Sequence, residues 1–188
     1  ISGGADGTVK YWEIATGIER DTFVAHPTEW VRALALSPDG RTLATASFDG
    51  TVKLWDVAST RLKATLTRHK DHFFAVEFAP DGSLLAAACR DRTVRLWDAV
   101  TGKELAALLG HTGEVATLAF SPDGKTLASG SYDGSIKLWH VATRQELFSL
   151  KGHTGRVHAV TFSSDGKTLA SAGESSDRKG ELFLWSAK

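Results

Sequence analysis

Ser, His and Asp recur together along this chain as they do in a hydrolytic site. His26 stands ahead of Ser47 and Asp49, and His111 ahead of Ser131 and Asp133. Such a trio attacks an acyl group when the hydroxyl is exposed, the imidazole takes its proton and an oxyanion site lies beside both. Here the set repeats, and each copy lies just before a Trp. Repetition of that kind argues for architecture over catalysis. His69 and His72 form a His-x-x-His pair, but zinc needs three or four ligands in fixed geometry, so we assign no metal. The single Cys89 supports neither a zinc spacing nor an intrachain disulfide. No phosphate-cradling Gly loop of the Walker type is present, the 18 Gly falling in turns, and no cofactor is expected.

The elements that would carry these residues follow a fixed period. Trp12, Trp55, Trp97, Trp139 and Trp185 are separated by 43, 42, 42 and 46 residues. Ahead of three of them stand SFDGTVKLWD (47–56), CRDRTVRLWD (89–98) and SYDGSIKLWH (131–140). A period near 40 dictates a repeat architecture. Each unit reads as four strands. Residues 31–36, 73–78, 115–120 and 157–162 alternate in type. A turn follows, usually Pro-Asp-Gly, in which Pro presets φ and Gly tolerates a positive one. A small apolar strand, a tight Asp-Gly hairpin turn, the Trp-bearing strand and an outer strand complete the unit. Regular short strands with turn signals every 8–12 residues predict an all-β fold.

Composition bounds the function classes. The 22 Lys+Arg balance the 22 Asp+Glu, which argues against general nucleic-acid binding. No apolar run reaches the roughly 20 residues of a membrane span. The lone Cys fits a reducing compartment, and we expect a cytoplasmic protein.

In its Gly-His pairs, Ser-Pro-Asp-Gly turns, tight Asp-Gly turns and Trp-Asp ends, the chain resembles the WD40 family over essentially its whole length, in the regular style of bacterial arrays. The resemblance implies a β-propeller of four-stranded blades. We expect repeats at 18–57, 60–99, 103–141 and 145–186, with 1–14 the end of a preceding repeat. WD40 rings most often have seven blades, so 1–188 is expected to be the C-terminal portion of a larger ring. About two and a half repeats, on the order of 110 residues, would then precede it. Missing N-terminal repeats or another chain would complete the ring.

The family pattern also implies a polar network in each blade, made of an inter-blade His, a hydroxyl on the second strand, the tight-turn Asp and the Trp. Two complete sets would be His26, Ser47, Asp49, Trp55 and His111, Ser131, Asp133, Trp139. A looser set has His69, Asp91 and Trp97, with Cys89 at the hydroxyl position. The last has His153 and Trp185, with 174–180 replacing the tight turn and displacing Asp177. The network puts the His loop and tight turn at one end of each blade, the end that commonly holds a partner in the family. Carried over by position, the partner-binding residues would be Trp30, Arg32, Phe48, His72, Phe74, Arg90, Glu114, Tyr132, Arg156 and His158. They are rich in the residue types that dominate interfaces. The expected function is a protein- or peptide-binding scaffold or sensor with no chemistry of its own. The alternative is a docking region of a larger enzyme, such as a bacterial kinase or NTPase, whose catalytic domain lies upstream.

Overall fold

The computed structural model describes residues 1–68, 70–175, 177 and 179–186. It is all-β: the described residues form 18 strands in five antiparallel sheets, the consecutive blades of a partial propeller. Blade 1 holds β1 (Ser2–Gly3), β2 (Thr8–Trp12) and β3 (Glu19–Val24). Blade 2 holds β4 (Val31–Leu36), β5 (Thr42–Ser47), β6 (Thr51–Asp56) and β7 (Leu62–Arg68). Blade 3 holds β8 (Phe73–Phe78), β9 (Leu84–Cys89), β10 (Val94–Asp98) and β11 (Glu104–Leu108). Blade 4 holds β12 (Val115–Phe120), β13 (Thr126–Ser131), β14 (Ser135–His140) and β15 (Gln145–Lys151). Blade 5 holds β16 (Val157–Phe162), β17 (Thr168–Glu174) and β18 (Gly180–Ser186). The inner strands β4, β8, β12 and β16 pack in succession.

The sheets of blades 2, 3 and 4 are buried on both faces because a blade stacks on each side, whereas blade 5 leaves Leu182 and Leu184 71% exposed. The core therefore lies between blades. Ala44, Ala46, Val52 and Leu54 of blade 2 pack on Phe73, Phe78, Leu85 and Trp97 of blade 3. Ala86, Ala88, Val94 and Leu96 of blade 3 pack on Val115, Leu118, Leu127 and Trp139 of blade 4. The second strands are rich in Ala, Ser and Thr (TLATAS, LLAAAC, TLASGS). Small side chains there leave room for the large residues of the next inner strand.

A bulge near the start of each inner strand positions the candidate face. The pairing shifts between Val31 and Ala33, Phe73 and Ala75, Val115 and Thr117, and Val157 and Ala159. Arg32, Phe74, Ala116 and His158 are the extra residues. A bulge re-aims the side chain it carries. Val31, Phe73, Val115 and Val157 are buried, whereas Arg32 and His158 are exposed and Phe74 half-buried.

Candidate partner-binding face and the networks beneath it

Beneath the face, three blades carry a hydrogen-bonded set of one design. In blade 2, His26 Nδ1 lies 2.8 Å from Asp49 Oδ2, and its Nε2 lies 2.7 Å from Thr45 Oγ1. Trp55 Nε1 donates to the same Thr45 hydroxyl at 3.0 Å. A carboxylate only accepts, so Nδ1 carries the proton of the neutral ring; the Thr45 hydroxyl then accepts from the indole and donates to Nε2. Blade 4 repeats this with His111, Asp133 (3.1 Å), Ser129 (2.8 Å) and Trp139 (2.8 Å). In blade 1 the indole of Trp12, which is 41% exposed, donates to Ser2 Oγ at 2.8 Å.

These distances correct the expected hydroxyls. Ser47 and Ser131 are not network members. Their hydroxyls accept the backbone N–H of Asp49 and Asp133, at 3.0 and 3.1 Å, and close the tight turns. Thr45 and Ser47 share a strand face, but the indole lies level with the earlier residue, ten positions before the Trp. Cys89 likewise holds the turn position. The residue that leaves blade 3 without a network hydroxyl is Ala87. His69 lies outside the described residues.

Blade 5 replaces the acid. His153 Nε2 lies 2.8 Å from Ser171 Oγ, to which Trp185 donates at 2.9 Å. His153 Nδ1 meets Glu181 Oε2 at 3.1 Å. The longer side chain of Glu181, on the Trp-bearing strand, takes the place of the tight-turn Asp, while exposed Asp177 pairs with Lys179 at 2.7 Å.

Blade 3 solves the same problem differently. Trp97 is fully buried, and its Nε1 has no hydrogen-bond partner among the described residues. Arg95 reaches Asp91 Oδ2 at 3.0 Å and Glu104 Oε1 at 2.9 Å. Burial pushes the Cys89 thiol up to about 12, so it stays protonated. Burial would raise the Asp49 carboxyl too, but the bonds from His26 and Thr51 outweigh it and hold it at about 2. The same balance, through His111, Ser135 and Thr112, holds Asp133 well below the carboxylate range.

The hydroxyls of Thr45, Ser129 and Ser171 are buried and already accept an indole N–H, so none is presented to a substrate. Among the described residues no group of three or more His, Cys, Asp or Glu is placed to hold a metal. No helix among them is long and apolar enough to cross a membrane.

Above the networks the aromatic candidates meet in a row. Trp30, 51% exposed, stacks on Phe48 with centroids 5.7 Å apart. Phe48 takes His72 at 4.8 Å and Phe74 at 5.6 Å, both edge-on. Phe74 lies 6.1 Å from Tyr132, which meets His158 at 5.4 Å. The row thus crosses blades 2 to 5. His72 Nδ1 donates to the Phe48 carbonyl at 2.6 Å, which leaves Nε2 as an acceptor.

Charges flank the row as pairs. Arg156 lies over the Tyr132 ring at 4.8 Å and 4.0 Å from Glu174, which also stands 3.8 Å from His158. Arg90 Nε donates to Glu114 at 3.1 Å. Arg32 is exposed beside the row. All ten candidates lie at the start of an inner strand, beside it or in a tight turn, and six of them form the row.

Sequence reasoning missed Thr45, Ser129, Ser171 and Glu181. The constant ten-residue offset from Ser2, Thr45 and Ser129 to the following Trp is the signal for three blades. It also missed Arg92, which stands where the other tight turns have Gly.

A family model described as the echinoderm microtubule-associated protein second beta-propeller matches residues 30–188. No curated protein matches the chain.

Proposed function

Because the chain belongs to the echinoderm microtubule-associated protein second beta-propeller family, a family of WD40-like propellers that suits a protein-interaction scaffold, we propose that it docks a protein or peptide partner on the face where its inner strands begin. One observation carries this reading: the aromatic row from Trp30 through Phe48, Phe74 and Tyr132 to His158. Stacked rings with solvent-facing edges give a partner rigid apolar area at low entropic cost. The flanking ion pairs form the polar rim that surrounds such anchors. The bulges that re-aim Phe74 and His158 support it too, since bulges of this kind collect where a side chain must be presented. We assign the chain no reaction, because the hydroxyl of each Ser/Thr–His–acid set is spent on an indole.

The protein that names the family is microtubule-associated, so tubulin is the first partner to test. The chain with Trp30, Phe74 and Tyr132 changed to Ala is compared with the parent in tubulin co-sedimentation and in peptide-array binding. The expected result is a loss of binding of at least tenfold with an unchanged melting temperature. Undiminished binding by the folded variant overturns the assignment of this face.

A further inference from the structure

The tight turn between the second and third strands of a blade passes through the left-handed region. Blades 1, 2 and 4 put Gly there: Gly7, Gly50 and Gly134, at φ 77°, 77° and 82°. Blade 3 puts Arg92 there, at φ 72°. A side chain with a Cβ is disfavoured in that conformation, and its retention at one blade asks for a compensating use. Arg144, at φ 61° in an outer turn, has a local one: its guanidinium donates to the Leu105 carbonyl at 2.8 Å. The Arg92 guanidinium is exposed and has no hydrogen-bond partner among the described residues.

Arg92 opens onto a groove of about 820 Å3 between blades 3 and 4, lined also by Arg90, Thr93, Thr112, Asp71 and Glu114. Asp91 does not neutralise Arg92, because Arg95 and Thr93 hold its carboxylate at 3.0 and 2.6 Å. Glu114 grips Arg90 by Nε alone, which aims the guanidinium and leaves its terminal nitrogens uncommitted among the described residues. Two guanidinia with spare donors suit a compact dianion, which arginine forks bind with two parallel hydrogen bonds. An extended polyanion is disfavoured, since Asp71 and Glu114 line the same groove. Arg90 also takes, in blade 3, the position that Phe48 and Tyr132 hold in the aromatic row.

We propose that this groove takes the phosphate of a phosphorylated peptide segment whose neighbouring side chains lie on the aromatic row. The inference rests on the row being a docking face. Where a Gly would relax the turn, Arg92 places a cation that faces solvent beside that row.

The test passes a degenerate pool of phosphoserine, phosphothreonine and phosphotyrosine peptides over the immobilised chain, beside the same pool after phosphatase treatment. Retention of the phosphorylated pool is expected to be about tenfold higher. Arg92→Gly is expected to lose most of that preference while its melting temperature rises by about 2–4 °C, because the turn is relieved. A folded Arg92→Gly chain that keeps the full preference overturns the proposal, as does equal retention of the two pools by the parent. A short oligonucleotide retained with the same Arg92 dependence overturns it in favour of nucleic acid. The two readings fail separately. If Trp30→Ala with Phe74→Ala keeps full phosphopeptide retention, the row falls while the Arg92-dependent groove stands. If the parent retains both pools equally and that variant retains neither, the groove falls and the row stands.

Discussion

Blade 3 and the blades on either side of it share strand order and the bulge of the inner strand, yet they satisfy their interiors in different ways. Blades 2 and 4 bury a closed set in which imidazole, carboxylate, hydroxyl and indole answer one another. Blade 3 has Ala87 where they have Thr45 and Ser129, Arg92 where they have Gly50 and Gly134, and Arg95 where they have Lys53 and Lys137. It also has Glu77 on its inner strand where they have Ala35 and Ala119. Blade 3 lacks the network hydroxyl and the turn Gly, and it adds the ionisable side chains of Arg92 and Glu77. Stacking between blades tolerates this, because the Trp97 ring keeps its apolar contacts with the neighbouring blade even with no partner for its N–H among the described residues.

The largest effect should come from cutting the closed set. Asp133 accepts from His111, the Thr112 N–H, and both the N–H and hydroxyl of Ser135. Asp133→Ala should cost about 3 kcal/mol in urea unfolding, since it leaves the buried His111 Nδ1 and the half-buried Ser135 donors unanswered. Asp91→Ala, which strands the Thr93 donors but leaves Arg95 its bond to Glu104, should cost about half as much. Equal losses would break the comparison between the blades.

Glu77 should give the next effect, and it depends on pH. Its carboxyl is pushed up to about 7 by burial, against the pull of the Phe120 N–H. The folded chain then holds more protons than the unfolded one between about pH 4.5 and 7, so stability falls as pH rises through that window. Glu77→Gln should flatten this dependence and stabilise the chain at pH 8 by on the order of 2 kcal/mol. Thermal melts from pH 5 to 8 check it; a parent whose melting temperature rises steadily over that range contradicts it.

A reciprocal pair sharpens the contrast further. Ser129→Ala builds the blade 3 defect into blade 4, stranding His111 Nε2 and the Trp139 indole, and should cost about 1–2 kcal/mol. Ala87→Ser offers Trp97 an acceptor and should gain up to about 1 kcal/mol. If Ala87→Ser destabilises the chain, Trp97 does not lack an acceptor.

The repeat made much of this legible in advance. Trp spacing, alternation and turn residues determine strand order, and they do so because each is a local backbone constraint. The network roles of the tight-turn Asp residues and of inter-blade His26, His111 and His153 are legible through the family pattern that the repeat resembles. The hydroxyl is not legible, because Thr45 and Ser47 lie two residues apart on one face and only the reach of the indole chooses between them. Glu181 is not legible, because a longer acid can serve from the strand where the sequence of 174–180 departs from the tight-turn pattern. The row was legible as separate aromatics at equivalent positions. Their contact with each other was not, since Phe48 meets Phe74 only through the packing of neighbouring blades and the bulge that turns Phe74 outward.

The proposed docking face is tested most directly by a hydrogen-exchange footprint of the chain with tubulin or with a peptide it retains. Protection is expected to concentrate around Trp30, Phe48, Phe74 and Tyr132. Protection confined to the Pro-Asp-Gly turns at the other end of the blades, around Gly40, Gly82 and Gly124, would contradict it.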